Sequence, residues 1–291
     1  MRRLDDKLVV ITGAAGGIGA ALARAFAARG AELALIDLDG AGLATLAATL
    51  TAAGARASTH VANVGDPAAL SGARAAILAE HGRVDLLVNN AGITVFAEFE
   101  ATEADEIERV LDVNLRGVIY GCRIFLPDLR ARPQAHIVNI ASMAAFAGLP
   151  RQSIYCATKY AVRGLTASLR VELAGKGVGV TCVLPGATRT NIVGAAASRN
   201  VALRDELSAK LLTYGYPPDI LARKVVRAVR RNRAELCVGP DSWALAAAVR
   251  SSPMLVRGSM RALAWFAGRR TLTAPDQPLA LGPERPAEPP E

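Results

Sequence analysis

Seven short runs of apolar and β-branched residues recur along this chain, each continuous in polarity, with longer stretches of helical spacing between them. The runs are Leu8–Thr12, Glu32–Asp37, Ala57–Val61, Asp85–Asn89, His136–Ile140, Val178–Leu184 and Glu235–Val238. The helical patterns lie near 17–29, 41–53, 67–81, 103–130, 153–175 and 218–232. A strand that alternates has one wet face, whereas one that is apolar throughout is covered on both. Repeated βα units of this kind predict an α/β fold: a doubly wound, seven-stranded parallel sheet with helices on each side. With 52% hydrophobic residues in 291, the chain can build one large core, and with aromatics at only 4% that core must rest on Ala, Val and Leu.

Composition narrows the function classes. Cys122, Cys156, Cys182 and Cys237 lie far apart with no CxxC, and read as small buried hydrophobes in a reducing compartment. His60, His81 and His136 lack acidic or cysteine partners at ligand spacing, so no metal site is expected. The opening MRRLDDKLVVITG has no apolar leader, and no charge-free run approaches a membrane span, which predicts a cytoplasmic protein. The formal charge of +8 raises nucleic acid as a partner, but the arginines are dispersed and no reader motif accompanies them.

The first strand runs into Thr12-Gly13-Ala14-Ala15-Gly16-Gly17-Ile18-Gly19, and a helix follows. Glycines there permit a tight turn and let backbone N–H groups approach a pyrophosphate. The second strand ends in Asp37, eighteen residues after Gly19. A carboxylate at that place accepts from ribose hydroxyls and repels a 2′-phosphate, so NAD is expected in preference to NADP. The competing reading of Asp37 is a cap for the following helix. Tyr155 and Lys159 stand i, i+4 on one helix face, with Ser142 at the end of the fifth strand. A nearby ammonium favours a phenolate, which makes Tyr155 a candidate base, and Ser142 can hydrogen-bond a substrate oxygen as charge develops.

TGxxxGxG at 12–19, Asn89-Asn90-Ala91-Gly92, Asn114, Ser142, Tyr155-x-x-x-Lys159 and Pro185-Gly186 stand in the order and spacing of the short-chain dehydrogenase/reductase family, which the chain resembles over about residues 6–239. The resemblance implies a Rossmann fold and an NAD(P)-dependent interconversion of a secondary alcohol and a ketone. It implies a proton relay through Asn114 and a ribose contact for Lys159. It puts Gly13, Gly17, Ile18, Gly19, Asn90, Ala91 and Gly92 against the cofactor, and Pro185, Gly186, Thr188 and Thr190 against the nicotinamide carboxamide. Asn63-Val64 stands where the family has Asp-Val beside the adenine, a departure that touches one contact. Similar proteins pair through the helices corresponding to 103–130 and 153–175, so a homodimer or homotetramer is expected. A catalytically silent nucleotide-binding regulator on the same fold is the alternative, and such a protein would be expected to lack Ser142, Tyr155 or Lys159.

Ile93, Met143, Ala144, Leu149 and the 187–216 segment would surround the substrate, and their apolar character points to a hydrophobic alcohol, steroid-, retinoid- or lipid-like. Residues 187–216 show no clear strand and read as a mobile lid. The organisation expected is a dehydrogenase domain over 1–239, an apolar and basic helical extension over 240–270, and a disordered proline-rich tail over 271–291. In the extension, Leu255, Val256, Met260, Leu263 and Phe266 share one arc, with Arg257 and Arg261 opposite. That face either packs over the cleft or a partner subunit, or lies in an anionic membrane interface; the first is preferred because most apolar stripes are core.

Overall fold

The computed structural model describes residues 3–252 together with Met254, Val256 and Gly258. Its seven sheet strands are β1 (Leu8–Thr12), β2 (Glu32–Asp37), β3 (Ala57–Val61), β4 (Leu86–Asn89), β5 (Ala135–Ile140), β6 (Val178–Pro185) and β7 (Glu235–Val238). All pair in parallel, in the order β3-β2-β1-β4-β5-β6-β7. The expected strand edges shift by one residue at Leu86, Ala135 and Pro185.

The helices are α1 (Gly17–Ala27), α2 (Gly40–Ala52), α3 (Pro67–His81), α4 (Ala104–Leu111), α5 (Gly117–Arg130), α6 (Ser153–Glu172), α7 (Val201–Tyr214), α8 (Pro218–Arg230) and α9 (Pro240–Ser251). Leu8 and Val10 of β1 pack with Leu70 and Ile77 of α3, Phe125 of α5 and Val162 of α6. The intervening Val9 and Ile11 pack with Leu22 and Phe26 of α1, Leu43 of α2 and Val225 of α8. One strand thus feeds two cores, which is why its sequence is apolar at every position.

Three expectations need correction. The helix expected over 103–130 is two helices joined by a π-helical turn, Asp112–Arg116. The 187–216 segment contains α7, and its Ala197–Ser198 pairs in parallel with Val95–Phe96. Helices expected to reach 29, 175 and 232 end at Ala27, Glu172 and Arg230. The amphipathic arc over 254–270 falls largely, and the 271–291 tail wholly, outside the described residues. Among those described, no helix is long and apolar enough to cross a membrane.

Because β1 lies between β2 and β4, the chain crosses over after β3, and the strand order reverses at the C-terminal ends of β1 and β4. A crevice at such a reversal is where open α/β sheets take ligands.

Candidate active site

At that reversal the glycine turn bends on Gly13, whose φ is +64°, and a Cβ there would lie 2.7 Å from Ala91 Cα. Only glycine permits both the angle and the approach. Thr12 fastens the two loops: its hydroxyl accepts from the N–H groups of Asn90 (3.0 Å) and Ala91 (3.1 Å). The Asn90 amide donates back to the carbonyls of Thr12 and Gly13 at 3.0 and 2.9 Å. Gly19 is buried beneath the turn.

Helix α1 follows Gly16, which offers it no side-chain cap, and has no acidic residue in its first turn. Its first N–H groups are therefore offered to an anion, which is what a pyrophosphate requires. A cleft of about 500 Å³ opens there, lined by Gly13, Gly17, Ile18, Asp37, Asn63, Val64, Asn90, Ala91, Gly92 and Thr190 among others. A dinucleotide fits these residues: an uncapped helix start at the middle and carboxylates at one end. Leu38 and Asp39 also line it, and among the described residues no lysine or arginine does.

Asp37 is half-buried, and its oxygens accept from Ala15 N–H (2.9 Å) and Asp39 N–H (3.1 Å). The cap of α2 is Asp39, through Gly42 N–H at 2.9 Å; Asp37 is not the helix cap. Asn63 folds its side-chain oxygen onto Gly65 N–H at 3.0 Å. Pro185, Gly186 and Thr188 stand outside the cleft wall, where Thr188 donates to the Gly186 carbonyl at 3.0 Å.

Ser142, Tyr155 and Lys159 come together beside this cleft. Ser142 lies two residues past β5 and receives Ala144 N–H at 3.1 Å, and it is near enough to the Tyr155 phenol to oppose the effect of burial on it. Lys159 Nζ lies 5.5 Å from the Tyr155 ring centre and donates to the Ile140 carbonyl at 3.1 Å. The Cβ position over Gly92, on the cleft wall, is 3.4 Å from both Lys159 Nζ and Asn114 Oδ1. Burial governs the titration. It pushes the Tyr155 phenol up to about 12, with Ser142 opposing, and lowers the Lys159 ammonium to about 8. The expected lowering of Tyr155 by its lysine neighbour is not what dominates here.

Asn114 sits fully buried in the π turn. Its amide pairs with the Ile93 backbone in both directions at 2.8 Å and donates to Thr158 at 3.3 Å. Sequence reasoning missed Thr12 and Thr158 as organisers of the site. Thr12 heads the glycine motif but acts through backbone N–H groups remote in sequence, and Thr158 acts through the remote Asn114 side chain and the nearby Tyr155 carbonyl; motif spacing shows neither contact.

A doubly wound sheet with a glycine turn at its switch point defines a dinucleotide-binding α/β protein. Comparison with known proteins narrows the class. The family described as short chain dehydrogenase matches residues 7–200. The chain is 38% identical over 265 residues to the oxidoreductase EphD of Mycobacterium tuberculosis, covering 88% of this chain and 45% of that one. It thus spans about half the length of that relative. It is 36% identical over 255 residues to the oxidoreductase SadH of the same organism, covering 84% and 90%. Among solved structures, a short-chain dehydrogenase/reductase from Burkholderia phymatum in complex with NAD superposes with a TM-score of 0.78 at 29% identity, over 97% of this chain and 100% of that one. The chain belongs to the short-chain dehydrogenase/reductase family of NAD(P)-dependent oxidoreductases.

Proposed function

We propose that this oxidoreductase prefers NAD and interconverts a secondary alcohol and a ketone, with a hydrophobic substrate. The observation that carries the reading is the convergence of Ser142, Tyr155 and Lys159 beside the cleft. When bound, the nicotinamide supplies the hydride acceptor or donor. In oxidation, Tyr155 Oη takes the alcohol proton as its own proton passes on by way of Lys159 and Asn114, while the Ser142 hydroxyl steadies the substrate oxygen. With its pKa near 8, Lys159 is predominantly an ammonium at neutral pH, the form that favours a phenolate and a ribose contact. A proton relay through Asn114 is supported by its burial beside Lys159, with its side chain held by Ile93 and Thr158.

NAD preference is supported by Asp37 and Asp39 on a cleft wall that, among the described residues, lacks lysine and arginine. Apolar substrates are supported by the half-buried Met143 and Leu149, between Ser142 and Tyr155, and by half-buried Ile93 beyond β4; Ala144 is fully buried and takes no part. Pairing of two copies through α5 and α6 is supported by an apolar groove between those helices. The catalytic unit is assigned to residues 1–239.

The test compares kcat/KM for NAD and NADP across secondary alcohols from short aliphatics to sterols. An NAD advantage of at least about tenfold is expected, the equivalent of about 1.4 kcal/mol, and Asp37→Ala should narrow it. Equal use of both cofactors by the unmodified protein would contradict the assignment.

A further inference from the structure

We propose that Asp241, from the first turn of α9 beyond the last strand, is a positioning residue for the 185–190 loop and hence for the nicotinamide end of the cofactor. The inference rests on the cofactor reading above and extends it to a segment outside the 1–239 unit.

Three observations meet at this carboxylate. It accepts the Ala187 N–H at 2.6 Å and the Ser242 N–H at 2.9 Å. Its Oδ1 lies 1.9 Å from where a Gly186 Cβ would be, and 2.5 Å from the Cβ position of Gly239, whose φ is +101°. Two glycines therefore leave open the space that the carboxylate fills, one on each strand end. Next to it, the buried Ser242 hydroxyl donates to the Leu184 carbonyl at 2.7 Å, which locks the start of α9 to the end of β6.

Ala187 is held from both sides. Its N–H goes to Asp241, and its carbonyl receives Tyr216 N–H at 2.7 Å. From there the loop runs through Thr188 to Thr190, whose methyl lies 3.1 Å from the Cβ position of Gly17 at the start of α1. The loop thus spans from the Asp241 anchor to the glycine turn. A charge-assisted hydrogen bond is about twice as strong as a neutral one, so Asp241 dominates the anchoring of the near end. Asp37 and Asn63, at the adenosine end, have partners of their own and owe nothing to Asp241.

The experiment titrates the full chain with NADH and with ADP-ribose, which lacks the nicotinamide, and records the emission of bound NADH. For Asp241→Ala the NADH dissociation constant should rise about tenfold and the emission enhancement fall, while ADP-ribose stays within about twofold. Asp241→Asn should restore part of the loss, because its amide oxygen still accepts from Ala187 N–H but without the charge. Parallel weakening of both ligands, or no change in either, would overturn the proposal while leaving the cofactor reading intact. Failure of the unmodified protein to bind either ligand would overturn both.

Discussion

At neutral pH the Lys159 ammonium is 3% exposed and has one carbonyl, that of Ile140, to donate to. Burial lowers its pKa from 10.5 to about 8, so the folded chain holds this proton less tightly than the unfolded chain does. The sign follows directly: the folded state is penalised fully below pH 8, and the penalty fades as pH rises to 10.5. A shift of this size corresponds to roughly 3 kcal/mol at pH 7. Lys159→Met is therefore expected to be more stable than the unmodified protein at neutral pH and inactive, with the stability gap closing near pH 10. Urea unfolding of the two proteins across that range checks it. Equal stabilities at pH 7 would mean that Lys159 is not a destabilised site residue.

Between α5 and α6 runs a groove lined by Ile119, Cys122, Leu126, Leu165 and Leu169, with Arg123 and Arg130 at its margin. Ile119 is 38% exposed on this face, an apolar surface that a second copy would bury. Light scattering at micromolar concentration should find a dimer or tetramer, and Leu126→Arg should shift it toward monomer. A strictly monomeric unmodified protein would contradict the pairing. How much of these elements the sequence displayed depends on what shapes each one. The sheet was legible because two-sided burial leaves continuous apolar runs, and the glycine turn because Gly13 needs its angle. The π turn at 112–116 was not, since it contains no glycine or proline and is associated with the Asn114–Ile93 pairing, a tertiary contact. Helix α7 escaped because only Ser208 along it is buried, so no apolar stripe marks it. Tyr155 and Lys159 were visible through their spacing. Asp241 was not, because it touches the loop only after β6 and β7 pair.

Across the whole molecule, the three histidines are each held below their ordinary pKa, by burial in every case. His136 is the extreme, lowered from 6.5 to about 3. Its Nε2 lies 2.8 Å from the Thr181 hydroxyl, which itself donates to the Arg233 carbonyl, so Nε2 carries the proton and Nδ1 is a buried acceptor without a donor. His60 and His81 share the Ser58 hydroxyl, each at 2.9 Å. A depressed folded pKa leaves stability complete above pH 6.5 and lost progressively as pH falls toward 3. By pH 5, His136 alone should cost about 2 kcal/mol, read as a falling urea midpoint that His136→Gln reduces. The proposed activity is hydride transfer with Tyr155 as the proton acceptor. Its most direct test is NADH formation by Tyr155→Phe against the unmodified protein, on any alcohol the latter oxidises, with NAD affinity measured in parallel. Tyr155→Phe is expected to lose kcat by at least about a hundredfold, the low end of general acid–base catalysis, with NAD binding nearly unchanged. Retention of more than about a hundredth of kcat by Tyr155→Phe would contradict it.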